Sequence, residues 1–291
     1  MKRRDFLGLA MLAAAAPAFA SSGRFDRGLL WRVTRKDLRA SHVYGTIHVA
    51  DTRLAALPPA VRKAFYAAKT LMLEFVPDTY SRERFIEAAM FLDQQTLEQK
   101  IGAEDFERAL AQLAPIGLSR DFVNKMKPWS VLLNLHHPQR SQGSPLDSQL
   151  LDLARGRRMP LYQIEGVEEQ IFTFDEFPME SQVALLKHSL AHAAELVGLA
   201  ERTLEAYLAQ DLAAIWRLRE EFSARHPGIE AHQAVMTKRV VHDRSVVMAF
   251  RMQRQLRRGD AFMALGALHL YGEKGVLALL GTDGYRATRV G

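Results

Sequence analysis

A four-residue pattern, Gly-x-x-His, occurs near both ends of this chain in the same sequence setting. Gly45-Thr46-Ile47-His48 and Gly266-Ala267-Leu268-His269 each follow a short strand-like run and precede a loop and an apolar helical stretch. A second extended segment closes each unit, at residues 70–76 in the first and 285–290 in the second. This alternation of strands and helices predicts a parallel or mixed sheet with helices packed on it.

The place of the histidines in these units indicates a site. In such sheets, ligands bind beyond the carboxyl ends of the strands, where we expect His48, Glu74 and His269. A glycine three residues before each histidine permits a positive φ angle or a close backbone approach at the turn. The alternative is that each glycine only ends a strand and each histidine is a hydrogen-bonded residue of the core or its rim.

The sequence between the two units is mainly helical in pattern. Residues 160–165 form one further predicted strand, which ends in a carboxylate. We therefore predict an α/β (α+β) fold: a small central mixed or parallel sheet built from the two units, with a large helical insertion or cap over residues 80–260 of a single domain, 21–291. Apolar residues at three- and four-residue spacing predict helices over residues 85–100, 103–114, 128–137, 144–154, 180–210 and 231–256.

The first 20 residues are predicted to be an export signal. A basic start is followed by an apolar run over residues 7–16 and by Ala18-Phe19-Ala20, a cleavage pattern. The run has about 10 residues, whereas a membrane-spanning helix needs roughly 20. Arg3-Arg4-Asp5-Phe6-Leu7 also fits the twin-arginine pattern, with an ordinary Sec signal as the alternative. The expected location is the bacterial periplasm or another exported compartment, and we predict no transmembrane segment in the mature chain.

The composition limits the kinds of metal site, catalytic site and partner that this chain can have. The sequence contains no cysteine, so disulfides and thiolate metal sites are excluded, and imidazole and carboxylate remain as metal ligands. The sequence also lacks the Gly-x-Ser-x-Gly motif of serine hydrolases. The net charge of +6 is dispersed, without interleaved aromatic residues or a nucleic-acid-binding motif. We therefore exclude nucleic acid as the main partner.

Several further motifs follow one another in an order that is typical of one family. They comprise both Gly-x-x-His segments, Glu74, Lys127-Pro128-Trp129, Asp147, Ile164-Glu165-Gly166-Val167-Glu168-Glu169-Gln170, Arg244, and the glycines after His269 at positions 272 and 275. Over nearly the whole mature chain, the sequence thereby resembles the TraB/GumN family. That family is related to the Tiki metalloproteases and, more distantly, to erythromycin esterases and haem-binding ChaN-like proteins. One departure is Asp243-Arg244-Ser245, where the family more often has Glu-Arg-Asn.

The resemblance implies a divalent metal site, and the residue types permit one. His48 and His269 can supply imidazole nitrogens and Glu74 a carboxylate oxygen, which leaves a position open for water. The resemblance further implies hydrolysis of peptide bonds in a peptide or protein substrate. It favours manganese or cobalt as the metal, with zinc as another option. The alternative is a haem- or metal-binding periplasmic protein of the same fold that performs no catalysis.

Two further residues are candidates for catalysis. Glu165 could act as a general base, as a carboxylate that holds a histidine tautomer, or only as a polar strand end. Arg244 could stabilise an oxyanion or bind a substrate carboxylate, and its alternative is a surface ion pair. His188 and His192 have the i, i+4 spacing of a helical metal pair but lack the glutamate of His-Glu-x-x-His. For these two histidines the sequence favours an ordinary helix face.

Overall fold

The computed structural model describes residues 23–135 and 143–290, so the predicted signal segment lies outside the described residues. Six strands form one sheet in the order β4-β3-β5-β2-β1-β6. The strands are β1 (Leu30–Thr34), β2 (Ser41–Thr46), β3 (Thr70–Leu73), β4 (Leu161–Gln163), β5 (Ala261–Gly266) and β6 (Arg286–Arg289).

Helices surround the sheet, and α2 to α13 fall between residues 79 and 258. Within the described ranges, no helix is both long and apolar enough to cross a membrane. The helices are α1 (Pro59–Ala67), α2 (Thr79–Ala88), α3 (Leu97–Ile101), α4 (Ala103–Leu113), α5 (Arg120–Lys125), α6 (Pro128–Leu135), α7 (Leu146–Gly156), α8 (Val167–Asp175), α9 (Met179–Ala191), α10 (Ala193–Leu208), α11 (Leu212–Ala224), α12 (Glu230–Thr237), α13 (Arg244–Arg258) and α14 (Val276–Thr282).

The sheet is mixed, which confirms the predicted α/β class. Strands β4, β3, β5 and β2 run parallel, whereas β1 pairs antiparallel with both β2 and β6. Strand β6 therefore runs in the same direction as β5. In both Gly-x-x-His units the second strand thus runs parallel to the first, as the sequence pattern predicts. The hairpin of β1 with β2 was not predicted. The single-domain organisation with its insertion stays a prediction.

Strand β5 lies inside the parallel part of the sheet, where a strand without polar side chains can be buried on both faces. Residues 261–265 are all apolar and buried, as expected for a strand covered on both faces. Phe262 meets Phe65 of α1 edge-on, with ring centroids 5.6 Å apart. Burying a side chain of this size contributes roughly 1.5 to 3 kcal/mol, so the first crossover helix is held firmly against the sheet.

The strand register brings the carboxyl ends of four strands to one edge. Thr46 at the end of β2 pairs with Gly266 at the end of β5, and Leu73 at the end of β3 pairs with Ala264. Leu73 also pairs with Gln163 at the end of β4. Both Gly-x-x-His motifs and the carboxylates that follow β3 and β4 therefore emerge side by side.

Three of the predicted helices differ from the structure. The prediction over residues 85–100 is wrong in joining α2 and α3, because Thr96 starts a new helix by capping the Gln99 amide. The prediction over residues 180–210 merges α9 and α10, which His192 separates with non-helical backbone angles. Between α12 and α13 the chain stays helical, but Lys238–Asp243 forms a π-helical segment. Such segments occur frequently at functional sites.

Candidate metal centre

His48 lies in the loop after β2, with its side chain 54% exposed. Its Nδ1 atom is 3.0 Å from Oδ2 of Asp147 on α7, and the other Asp147 oxygen accepts a hydrogen bond from the Thr46 hydroxyl. Partial burial disfavours a charged ring, but the hydrogen bond and charge of Asp147, helped by Glu74, raise the pKa of His48 to about 9. We therefore assign a proton to Nδ1, and a metal ion would displace a proton from Nε2.

His269 follows β5 in a 3-10 turn and is buried. Its Nδ1 atom lies 2.9 Å from the hydroxyl oxygen of Ser245, and this hydroxyl donates to the carbonyl of Val241 at 2.7 Å. Because the Ser245 hydroxyl already donates its proton to the Val241 carbonyl, it must accept a hydrogen bond from Nδ1 of His269. The lone pair of the ring therefore lies on Nε2. Burial lowers the pKa of His269 to about 4. The ring is thus a neutral imidazole, the form that binds metals.

Glu74 directly follows β3 and is buried between the two histidine motifs. Its Oε1 atom accepts a hydrogen bond from the Gly266 amide and lies 3.9 Å from His269 Nε2. Its Oε2 atom accepts a hydrogen bond of 2.6 Å from Arg244. Burial alone would raise the pKa of Glu74, but His269, Arg244 and His48 together with the Gly266 amide hold it well below its usual range. The carboxylate is ionised and turns one oxygen towards His269.

Arg244 begins α13 and bridges two buried carboxylates. Its Nε and Nη2 atoms donate to both oxygens of Glu165, at 3.0 and 2.7 Å, while Nη2 also donates to Glu74. The remaining nitrogen, Nη1, reaches the Val240 carbonyl at 3.4 Å. Glu165 therefore pairs with Arg244, while Asp147 and Ser245 contact the Nδ1 atoms of the two histidines. The surface ion pair considered as an alternative for Arg244 is instead a buried one.

The three predicted ligands converge on the place where Gly266 has no side chain. A Cβ atom added to Gly266 would lie 3.2 Å from Glu74 Oε1, 3.6 Å from His269 Cδ2 and 3.8 Å from His48 Nε2. Gly266 has ordinary negative φ, so close approach is the reason for glycine here. In the first motif, a Cβ on Gly45 would collide with Leu270 at 2.7 Å. Both glycines thus serve packing around the site.

These donors fit a divalent metal ion. Two imidazoles have Nδ1 paired with a protein group and Nε2 on the side of the Gly266 gap, and Glu74 adds an anionic oxygen there. Hydrogen bonds from the outer nitrogen to a carboxylate or another acceptor are the usual support of metal-binding histidines. If these three residues held an ion, the half-exposed side at His48 would leave a position that solvent or a substrate can reach.

The family model of TraB/PrgY/gumN matches residues 29–289, which include every residue of this centre. The chain belongs to the TraB/PrgY/gumN family. The chain is also similar to two proteins called "Uncharacterized protein YbaP", one from Shigella flexneri and one from Escherichia coli K12. Each is 24% identical over 246 residues, which cover 83% of this chain and 88% of the relative. No solved structure matches the chain significantly.

Sequence reasoning missed two supporting residues of this TraB/PrgY/gumN chain. Ser245 occupies a position at which the sequence departs from the usual family pattern, and it holds the Nδ1 atom of His269. Asp147 was noted as part of a motif, but its pairing with His48 was not foreseen. The departure at Ser245, next to Arg244, was the one signal that could have drawn attention to it.

Replacing Gly266 with alanine is expected to remove metal binding at this centre without unfolding the protein. The backbone angles at Gly266, φ −54° and ψ 135°, suit alanine, so the added methyl group acts only by filling the space between the three ligands. Metal stoichiometry after dialysis measures the effect. Gly281→Ala is the matched control, because a Cβ at Gly281 meets no atom within 4 Å. An unchanged metal-to-protein ratio in Gly266→Ala would show that the ion binds elsewhere.

Replacing Asp147 with asparagine is expected to weaken metal binding about 10- to 100-fold, the usual range for a partner of a metal-binding histidine. The amide group can donate to His48 Nδ1, which favours the tautomer with its proton on Nε2 and removes the ligand lone pair. Competition against a chromophoric chelator measures the affinity. Asp51→Asn, in the loop after the same histidine, should leave the affinity within about twofold of wild type, a difference of under 0.5 kcal/mol.

Proposed function

We propose that this protein is an exported metal-dependent hydrolase that acts on peptide bonds, with His48, Glu74 and His269 as the metal ligands. One observation carries the proposal: two histidines with Nδ1 paired to protein groups share one small space with an ionised, buried glutamate. A divalent ion bound there supplies a water molecule of lowered pKa and polarises a substrate carbonyl.

The residues around the ligands have defined tasks in this proposal. Asp147 and Ser245 hold the ring protons at Nδ1, so that both Nε2 atoms face the ion. Arg244 fixes the orientation of Glu74 and neutralises the oxygen that faces away from His269. Glu165 holds Arg244 in place by its two-point pairing. We therefore assign Arg244 and Glu165 as positioning residues, in preference to the oxyanion and general-base roles.

The peptide substrate and the choice of metal rest on the family. Imidazole and carboxylate ligands without thiolate suit manganese, cobalt or zinc, and the resemblance to metalloproteases favours the first two. If export follows the twin-arginine route, the protein folds and binds its metal in the cytoplasm. Native export should then give manganese, and a substituted Sec signal should give a different metal. Identical metal content by both routes would contradict this part of the proposal.

A second candidate is a haem- or metal-binding protein of the same fold without turnover. The observation in its favour is that the two glutamates of the centre, Glu74 and Glu165, are bound to Arg244. Both glutamates are therefore paired with a cation in the part of the chain that the structure describes, and neither is a free base. In this case the same ligands would retain an ion or haem without activating water.

Three measurements on the purified mature protein separate the candidates. Metal analysis and cleavage of a peptide library, each repeated on His48→Ala and His269→Ala, test the hydrolase. Loss of turnover in the variants, together with loss of one equivalent of bound metal, supports it. Titration with haem tests the second candidate, for which an absorption band of bound haem without peptide cleavage is expected. A metal-free, inactive wild type whose variants merely unfold more easily would contradict both candidates.

A further inference from the structure

Three histidines of the helical region lie together, away from the Gly-x-x-His motifs in sequence. His188 is in the last turn of α9, His192 separates α9 from α10, and His226 follows the end of α11. Their ring centroids are 4.2 to 4.7 Å apart. One nitrogen from each ring can be chosen so that all three lie within 4.8 Å of one another. The sequence interpretation of His188 and His192 as a plain helix face overlooked His226, which only the fold brings to them.

The hydrogen bonds of two of these rings assign their protons. His192 Nδ1 lies 2.9 Å from the carbonyl oxygen of His188, so it donates and leaves the lone pair on Nε2. His226 Nε2 lies 3.3 Å from a carboxylate oxygen of Glu195, so it donates and leaves the lone pair on Nδ1. A backbone carbonyl and a carboxylate are the groups that support metal-binding histidines from outside. This supporting shell is thus already in place.

The third ring carries an unexplained polar atom. His188 Nε2 is buried and has no hydrogen-bond partner among the residues that the structure describes. Leaving a buried polar atom without a partner costs about 1 to 3 kcal/mol. Burial and the two neighbouring imidazoles lower the pKa of His188 to about 4, so the ring is neutral at pH 7. Packing of the three rings against Phe222 offers this nitrogen no hydrogen-bond partner. A bound cation would accept its lone pair.

We propose that His188, His192 and His226 bind a divalent transition metal ion such as zinc, at a second site distinct from the Gly-x-x-His centre. Metal–nitrogen bonds of about 2.0 to 2.1 Å place tetrahedral nitrogens about 3.4 Å apart, so small side-chain rotations suffice to close the site. Three imidazoles favour zinc, copper or nickel over magnesium and calcium. The fourth position falls to water, because Glu195 is paired with the outer nitrogen of His226.

The position of the site defines what the ion would do. It would tie the end of α9 to the end of α11, two elements whose only covalent connection runs through α10. Among the residues that the structure describes, the contacts of the three rings include no separate acid or base beyond Glu195. The ion would therefore crosslink the helical region and raise its resistance to unfolding in proportion to occupancy.

Zinc titration of the full mature chain carrying His48→Ala and His269→Ala tests this proposal, because these changes remove the first site. We expect one equivalent of zinc to bind to this double variant and to raise its melting temperature. Adding His226→Asn should weaken binding at least about 100-fold and abolish the thermal shift, and adding Glu195→Gln should weaken it about 10- to 100-fold. His42→Asn, on β2, is the matched control and should change neither quantity.

Two results would overturn the proposal. They are the absence of zinc binding in the double variant, and unchanged affinity after His226→Asn. Glu195→Gln keeps the test valid if His226→Asn folds poorly, since it alters no ring. Failure of the hydrolase proposal gives a different pattern: the wild type would then bind one equivalent of zinc, and the double variant would retain it.

Discussion

Replacing His269 with alanine should abolish metal binding at the Gly-x-x-His centre and reduce kcat/KM for peptide cleavage at least about 1000-fold. A metal ion contributes several kcal/mol to stabilisation of the transition state, and about 4 kcal/mol corresponds to this factor. The imidazole is buried, its Nδ1 is held by Ser245, and its Nε2 lies 3.9 Å from Glu74. Its loss removes a ligand from the least exposed part of the centre. Metal analysis and steady-state kinetics measure both effects.

The control for this prediction is His42→Ala, which removes an imidazole from β2 at the opposite end of the strand from the motif. This variant should keep its metal and its rate. Because a buried side chain is also lost in His269→Ala, the unfolding transition of both variants must be recorded. A folded His269→Ala protein that retains metal and full activity would contradict the assigned ligand.

Replacing Arg244 with methionine should lower the free energy of unfolding of the metal-free protein by about 3 to 5 kcal/mol. This is the usual cost of leaving a buried charge without its partner. Here the change leaves two carboxylates without their positively charged partner: Glu74 and Glu165, whose side chains are only 8% and 5% exposed. Urea unfolding of the metal-free wild type and variant measures the loss. Arg244→Lys should recover only part of it, since lysine lacks the planar fork that binds Glu165 at two points.

The matched control is Arg84→Met, which breaks ion pairs of α2 with exposed glutamates. Exposed pairs contribute about 0 to 1 kcal/mol, so this change should be small. Adding Glu165→Gln to Arg244→Met should restore part of the lost stability, because one of the two stranded charges is removed. A loss below about 1 kcal/mol in Arg244→Met would mean that Arg244 does not neutralise the buried carboxylates.

The parts of the fold that the sequence predicted are those specified by local pattern. The run before each Gly-x-x-His, the helix after it and the returning segment can each be recognised from the apolar residues of the local sequence, and β2, β3, β5 and β6 are found where they were expected. The hairpin partner β1 was not predicted. Its pairing with β6 joins segments that lie far apart in the chain, and no local period indicates such pairing.

The proximity of the three proposed ligands was predictable, but the side chains that support them were not. His48, Glu74 and His269 follow strands whose ends a parallel sheet must bring to one edge, so their approach follows from topology. The hydrogen bond of Ser245 to His269 and the pairing of Asp147 with His48 depend on how α13 and α7 dock against that edge. Likewise, the two-point pairing of Arg244 with Glu165 spans 79 positions of the chain.

Anomalous diffraction from crystals of the protein loaded with manganese or cobalt tests the central claim most directly. The account predicts a peak in the space beside Gly266, about 2.0 to 2.2 Å from His48 Nε2, from His269 Nε2 and from one oxygen of Glu74. An ion coordinated through Nδ1 of either histidine would contradict the account, and so would the absence of any peak between these three residues.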